Sequence, residues 1–363
     1  MPTSQFKVYS SSDVGSPILT GISASLLNLL DACLVNGYGS GATYKSASGW
    51  SKPLGTDPNQ AIAAYTPASG SKMTVVVYDN QPTGSFSQGG AVLGTSAWWC
   101  GWETLNGLTG SVNSALGSGT GNFPLIGSAQ MGGNGGSFPN NISASYNVKK
   151  SNSADTTPRI WLMFADAWTM HLFIASDNIT YTHYHFGDIY SLKGSSDSYR
   201  CWLTGKYGMN LTNNSTTLDS SDVLPLPFTI TNWPTVMART WGGGGISIVV
   251  NKISDTGKAT ITAVGNTTGL TTNSGIMVGI IPGPNPVDNS LYLSPVWIGE
   301  AASSHIRGRV RGLWMLCHQT ANFSDGQIFY GANEQVGKSF RILKPGPGGG
   351  LFVMETSNTV ETN

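Results

Sequence analysis

Charge is what this sequence has least of. Of its 363 residues, 19 are Lys or Arg and 19 are Asp or Glu, 10% in all, and the formal net charge is zero. An ordinary soluble domain carries about 25%. With neither sign in excess, global charge cannot drive binding to nucleic acid or to an anionic membrane. Cysteine is scarce as well. Cys33, Cys100, Cys201 and Cys317 lie far apart and form no CxxC clip, which argues against a disulfide scaffold or a zinc ribbon and for buried free thiols. No apolar run approaches the roughly 20 residues a membrane helix needs. The stretch from Ile22 to Val35 is broken by Ser23, Ser25, Asn28 and Asp31. The segment Met1 to Lys7 has no charged region leading into an apolar one, so neither a secretion signal nor membrane insertion is expected.

Glycine, proline and small polar residues are abundant instead, with 47 Gly and 18 Pro. Ser, Thr, Asn and Gly must cover most of the surface, making many weak hydrogen bonds without desolvating ions. The 10% of aromatic residues supply enough apolar surface for a core, which excludes a disordered chain. Ile22, Leu26, Leu29, Leu30 and Cys33 fall on one helical stripe, with Gly37 as the stop. Beyond it, short apolar or alternating runs between Gly, Pro, Asn and Ser predict strands over Met73 to Tyr78, Ile160 to Phe164, Met170 to Ala175, Thr180 to Phe186, Ile246 to Val250, Ala259 to Val264, Gly275 to Ile281, Leu291 to Ile298, Arg307 to Cys317 and Leu351 to Met354. The fold class is therefore mainly β: a sandwich- or barrel-like body with one N-terminal amphipathic helix and long Gly/Ser/Asn-rich loops. Three regions follow: 1–106 with the helix and a β segment, 107–147 as a Gly-rich loop region, and 148–363 as the β-rich body, divisible near 210–222. No period of 20 to 50 residues marks a solenoid or propeller.

Several constellations could carry chemistry. Ala332 to Ser339 meets a relaxed phosphate-loop spelling through Gly337, Lys338 and Ser339, but the following Phe340 to Lys344 is strand-like, so a turn between two strands is the better reading. His183 and His185 share one face of a strand and, with Asp188, offer part of a metal site; the alternative is a polar strand face. His305, Arg307, Arg309 and Arg311 repeat at period two, presenting three guanidinium groups on one face to DNA, lipopolysaccharide phosphate or an acidic neighbour. A protein–protein contact is favoured, with Gly308 and Gly312 permitting close backbone approach. Trp98, Trp99 and Trp102, beside Cys100 and Glu103, are core, an interface anchor or a stacking shelf for sugar rings, and Trp241 with Gly242 to Gly245 is equally open. No nucleophile elbow, HExxH motif or closely spaced Ser/His/Asp set is present, so no catalytic residue, metal or cofactor is assigned. The candidate contact residues are Arg307, Arg309, Arg311, Trp98, Trp99 and Trp102.

Two blocks of sequence carry a resemblance. The first runs from Val8-Tyr-Ser-Ser-Ser-Asp13-Val-Gly15-Ser-Pro17 to Gly21, through Leu29-Leu-Asp-Ala-Cys-Leu-Val-Asn-Gly37-Tyr-Gly39, to Gly49-Trp50. The second comprises Arg309-Val-Arg-Gly312-Leu-Trp, Gly337-Lys-Ser-Phe-Arg and Glu355-Thr-Ser357. Both resemble a family of virion structural proteins of tailed bacteriophages, while the middle, from about Tyr65 to Ser303, carries no such match. The resemblance implies a particle component with no established catalytic residues and does not fix its place in the particle. Taken with the charge-poor, Gly- and Ser-rich β body, it leads to the expectation of a non-enzymatic assembly protein, made in the bacterial cytoplasm and held in tail, neck or baseplate by other virion proteins and copies of itself. The alternatives are a head-surface decoration protein, an adsorption protein binding bacterial surface glycan and, more weakly, a tail-borne glycan hydrolase. Nucleic acid is not an expected partner.

Overall fold

The computed structural model describes residues 6–55, 61–79, 95–108, 116–123, 146–179, 181–204, 235–240, 242–243, 247–251, 284–300, 305–316, 318, 323–332, 335–344 and 351–356. The first half of the chain contributes β1 (Lys7–Ser10), helix α1 (Ser25–Leu30), β2 (Ile62–Tyr65), β3 (Thr74–Tyr78), β4 (Ser96–Gly107), β5 (Ser118–Asn122), β6 (Tyr146–Lys149), β7 (Ile160–Ala165) and β8 (Thr169–Ala175). Then follow β9 (Tyr181–Asp188), β10 (Tyr190–Ser191), β11 (Cys201–Thr204), β12 (Thr235–Met237), β13 (Ser247–Asn251), β14 (Leu293–Glu300), β15 (His305–Leu316), β16 (Ile328–Tyr330), β17 (Ser339–Leu343) and β18 (Leu351–Thr356). The strands predicted at Ala259 to Val264 and Gly275 to Ile281, the loop near 210–222, Cys317 and Trp241 lie outside the described residues.

Pairing is antiparallel throughout. A small sheet runs β2-β3-β4-β5, with β6 also on β4. The longer path runs β1-β7-β8-β9-β11-β12-β13-β14-β15-β18-β17-β16, with β10 on β15. This path folds over on itself, because Leu162, Phe164 and Phe173 from its first half share one core with Val310, Leu313 and Met354 from its second. The first half is thus a middle layer and β14-β15-β18-β17-β16 an outer one. Strand alternation sends Trp161, Met163, Leu172, Tyr184 and Leu203 to the opposite face, where they meet Tyr65, Val75, Val77 and Trp99 of the small sheet and Leu26, Leu29, Leu30 and Cys33. The result is a layered, sandwich-like body, and the described strands form no closed barrel. β1 pairs with β7, and β6 returns to β4, so hydrogen bonding spans the boundaries expected at 107 and 147. β5 lies inside the segment expected to be loop.

The predicted helix forms over Ser25–Leu30 with Leu26, Leu29 and Leu30 inward, while Ile22 lies before it and is exposed; it continues as a π-helical stretch, Asp31–Asn36, that buries Cys33 and ends at Gly37 with φ +82°. A positive φ is what glycine tolerates. The start of α1 has no side-chain cap of its own. Asp79, just past β3, supplies one: its carboxylate accepts the Leu26 N–H at 2.7 Å, and its carbonyl accepts the Ala24 N–H at 2.8 Å. A carboxylate at a helix N-terminus satisfies orphan donors and meets the positive end of the backbone dipoles. The same carboxylate pairs with Lys150, whose ammonium also donates to the Ile22 carbonyl at 2.7 Å; both side chains are essentially sealed from solvent. Burial pushes the Asp79 carboxyl up to about 6 against the pull of Lys150, and burial lowers Lys150.

Removing one member of such a pair strands the other charge. Lys150→Met is expected to cost about 3–5 kcal/mol in urea unfolding, and the double change Asp79→Asn/Lys150→Met clearly less, because no ion is then left unpaired.

Candidate functional site

The polar groups of the body concentrate where the β7–β8 turn meets β15. Asp166 opens that turn, and its carboxylate Oδ1 accepts the N–H groups of Trp168 and Thr169, both at 2.8 Å. Trp50, from the N-terminal block, donates its indole N–H to the Asp166 carbonyl at 2.7 Å. Arg311, from the C-terminal block, donates to carboxylate Oδ2 at 2.9 Å. One turn in the middle of the chain is therefore clasped by residues from near both of its ends.

A local irregularity of β15 aims Arg311. In the pairing of β14 with β15, Pro295 faces Trp314 and Trp297 faces Arg309, so Val296 alone lies opposite Val310 to Leu313. Bulges of this kind bend a strand and re-aim its side chains. Gly312 takes φ +66° there, and the Phe6 ring occupies the space a Cβ would need. Gly308 likewise lies against the Tyr190 carbonyl, so the close approaches are made within the chain.

Arg307, Arg309 and Arg311 do line one face, as their period-two spacing predicts, and the chain itself covers that face. Arg307 is fully buried and forks onto Asp197, Nη2 to Oδ1 at 2.6 Å and Nε to Oδ2 at 2.8 Å. Burial pushes the Asp197 carboxyl up, but the hydrogen bonds from Arg307 and Ser191 outweigh it and hold the group below the usual carboxylate range. Arg309 is half-buried. Its guanidinium carbon lies 4.9 Å from the Tyr190 ring centre and 5.5 Å from that of Trp314. Arg311 lies 4.4 Å from the same Tyr190 ring and 5.1 Å from Trp168. Arg200 continues the series at 5.6 Å from Trp168, and Lys338 at 5.9 Å from Trp314. Cations and aromatic rings thus alternate as Arg200, Trp168, Arg311, Tyr190, Arg309, Trp314, Lys338. Each step of such a ladder contributes about 0.5–2 kcal/mol, more where water is excluded. Carboxylates bind it along its length. Asp188 holds Arg200 at 2.7 Å, Asp166 holds Arg311, and Glu355 holds Lys338 at 3.1 Å. Burial raises the Asp188 carboxyl despite hydrogen bonds from Ser71 and Arg200.

His183 and His185 share the inner face of β9, and the register with β8 adds a third ring that sequence spacing does not reveal, His171. The three rings are buried, with centroid separations of 5.2, 4.6 and 6.4 Å. Asp188 has the opposite strand parity and turns to Ser71, so it is not a fourth member. Burial holds His171 down to about 4 and drives His183 and His185 well below the ordinary imidazole value. Hydrogen bonds then fix the tautomers. His171 Nε2 must donate to the Arg311 carbonyl at 2.8 Å, so its Nδ1 accepts from His183 Nε2 at 3.0 Å. His185 Nδ1 donates to the Trp202 carbonyl at 3.0 Å and its Nε2 accepts the Thr169 hydroxyl at 2.7 Å. A hydroxyl on an imidazole is the pairing of an activated nucleophile. Here both groups are sealed, with Thr169 and His185 at 0% exposure, so no substrate reaches them. Among the described residues no group of three or more His, Cys, Asp or Glu side chains is arranged to hold a metal ion.

The tryptophans also point inward. Trp99 lies between the small sheet and the middle layer and donates to the Thr204 carbonyl at 3.1 Å. Trp98 and Trp102 lie on the other face of the small sheet with Cys100, Leu54 and Leu116. Of the residues expected at a partner contact, Trp98, Trp99, Trp102, Arg307 and Arg311 are buried within the chain, Arg307 and Arg311 on carboxylates and Trp99 on a backbone carbonyl, while Arg309 is half-buried. Glu103 holds Arg239 at 2.6 Å. Gly337 and Lys338 lie in the turn of the β16–β17 hairpin, as the strand-like sequence after them suggested. No family model matches the chain, and no curated protein matches it. Within the described residues the arrangement holds layers together.

Two outcomes follow. Nitrogen-15 NMR of the histidines at pH 7 should show Nε2–H tautomers for His171 and His183 and the Nδ1–H tautomer for His185. Asp166→Ala should cost about 3–5 kcal/mol in denaturant unfolding, since it strands a buried guanidinium, and Asp166→Asn less, because the amide oxygen still accepts the turn N–H groups.

Proposed function

We propose that this chain is a non-enzymatic structural component of a tailed-phage virion, held by copies of itself and by other virion proteins. The tail, neck or baseplate is its place, with the head surface as the alternative. One observation carries the reading: an apolar sheet edge is left open in a chain that buries several of its few charges. Lys150, Asp79, Arg307, Asp197, Arg311, Asp188 and Glu355 are all buried. At the other extreme, β16 ends the long path, and Ile328 and Tyr330 on it are 57% and 74% exposed, with Val336 of the adjoining turn at 73%. The Gly331 N–H bonds to Lys338 and the Ile342 N–H to Gln327, which directs the backbone groups of residues 327 and 331 toward β17. By strand alternation those of Ile328 and Tyr330 point to the open edge. Gln327 to Ala332 contains neither charge nor proline, the usual guards of a free edge. A neutral chain with such an edge is suited to lasting contact with neighbours, and the resemblance of its two blocks names the kind of particle.

The glycan-binding alternative relied on Trp98 to Trp102 as a shelf, and those rings are covered. The test is quantitative mass spectrometry of purified particles. A copy number in multiples of three or six supports tail or baseplate, hundreds of copies support the shell, and absence of the chain ends the proposal. The double change Ile328→Lys/Tyr330→Lys is expected to lower incorporation at least about tenfold while shifting unfolding stability by no more than about 0.5 kcal/mol, as for surface changes in general.

A further inference from the structure

We propose that the His171–His183–His185 cluster is an acid-operated latch on the seam between the middle and outer layers, and that proton uptake there frees β14, β15 and β18 while the small sheet stays packed. The cluster lies on the face of the middle layer that meets the outer one. His171 holds the Arg311 carbonyl of β15, Phe6 stands edge-on to His171 at 5.7 Å, and Trp202 lies 4.5 Å from His185. Every hydrogen bond in it is made by neutral rings. An added proton on His171 Nδ1 would oblige His183 to carry its own proton on Nδ1, and a proton there finds no acceptor. One on His185 Nε2 would oblige the Thr169 hydroxyl to turn to the Phe186 carbonyl, 3.3 Å away.

The charged groups around the cluster do not offset its burial: Asp166 favours a proton on His171, and desolvation outweighs it. From β15 it faces the Arg311 guanidinium, which repels an imidazolium, and from the β7–β8 turn it faces Asp166, which Arg311 already holds. Phe173 of β8, Phe6 and Trp202 of β11 are uncharged. Separating the layers lets the imidazoles reach water, so protons favour the open form. The sign follows from the depressed values. The neutral rings contribute stability that is complete above the unfolded pKa of about 6.5 and is lost as pH falls from there toward the folded values. Ordinary carboxylates titrate below this window. Asp79 and Asp188, which burial raises, act in the opposite sense, since their protonation as pH falls favours the fold. A loss of protection between pH 6 and 5 is therefore a histidine signature.

Hydrogen exchange of the full-length chain at pH 7, 6 and 5, corrected for intrinsic rates, tests the latch. Amides of Leu293–Glu300, His305–Leu316 and Leu351–Thr356 should lose protection by at least about tenfold between pH 6 and 5, the effect of one proton taken up on opening. Amides of Ile62–Tyr65 and Thr74–Tyr78 should keep theirs. In His183→Phe, which keeps a ring against Phe173 and removes one titrating group, the pH slope should flatten. Seam protection that is constant from pH 7 to 5, an equal loss in the small sheet, or an unchanged slope in the variant would overturn the proposal. Should His183→Phe fail to fold, the pH series on the unaltered chain decides alone.

Discussion

The seam between the middle and outer layers leans on one carboxylate. Asp166 uses one oxygen to hold its own turn together and the other to hold Arg311, while its carbonyl holds Trp50. These bonds lie where the middle layer is covered on both faces, so each is made out of water and none can be exchanged for a solvent bond without exposing apolar area. The aromatic ladder inherits its alignment from this point. With Arg311 fixed, Trp168 and Tyr190 have a cation to lie against, and Arg200 and Arg309 close on their other sides. The bulge at Val310 to Leu313 is the geometric condition for it, since an unbroken ladder between β14 and β15 would keep the Arg311 carbonyl from His171.

This arrangement inverts the usual distribution of charge. Ion pairs on a protein surface are worth little and mostly serve solubility. Here a chain with few ionic groups commits a large share of them to its interior, where they fix register between layers and where loss of a partner is costly. Outside, a few charged side chains such as Lys72, Asp177 and Lys193 stand among polar residues and scattered apolar ones such as Val14, Ile179 and Val287. Such a surface offers little electrostatic steering or repulsion, and lasting contacts on it come from shape and from backbone hydrogen bonds at open edges.

The legible part of this fold is the part in which local pattern and environment agree. β7, β8 and β9 read clearly because alternating apolar residues serve two different cores, and α1 because its stripe faces one. β5 is Ser-Gly-Thr-Gly-Asn, a composition that reads as turn, and only pairing with β4 makes it a strand. β1 hides in the same way among serines, and β11 is too short to show a period. In the site, the common face of Arg307, Arg309 and Arg311 was readable from spacing, but its direction was not. The carboxylates that draw Arg307 and Arg311 inward, Asp197 and Asp166, lie 110 and 145 residues away in the chain. His171 was missed for the same reason, since it joins His183 and His185 through strand register and not through sequence spacing. The tryptophan cluster read as core or contact, and burial decided for core.

The dependence of the middle layer on both ends of the chain also sets an order of events during synthesis. β1 pairs with β7 some 150 residues downstream, and the Phe6 ring waits for Gly312. Contacts of such sequence separation form slowly, because loop-closure entropy is lost before any contact repays it. While the ribosome has yet to release β15, the face of β7, β8 and β9 that carries Phe164, Phe173 and the imidazoles has no cover. Nascent copies are then open to mispairing with one another, and maturation of each molecule turns on the arrival of its last strands.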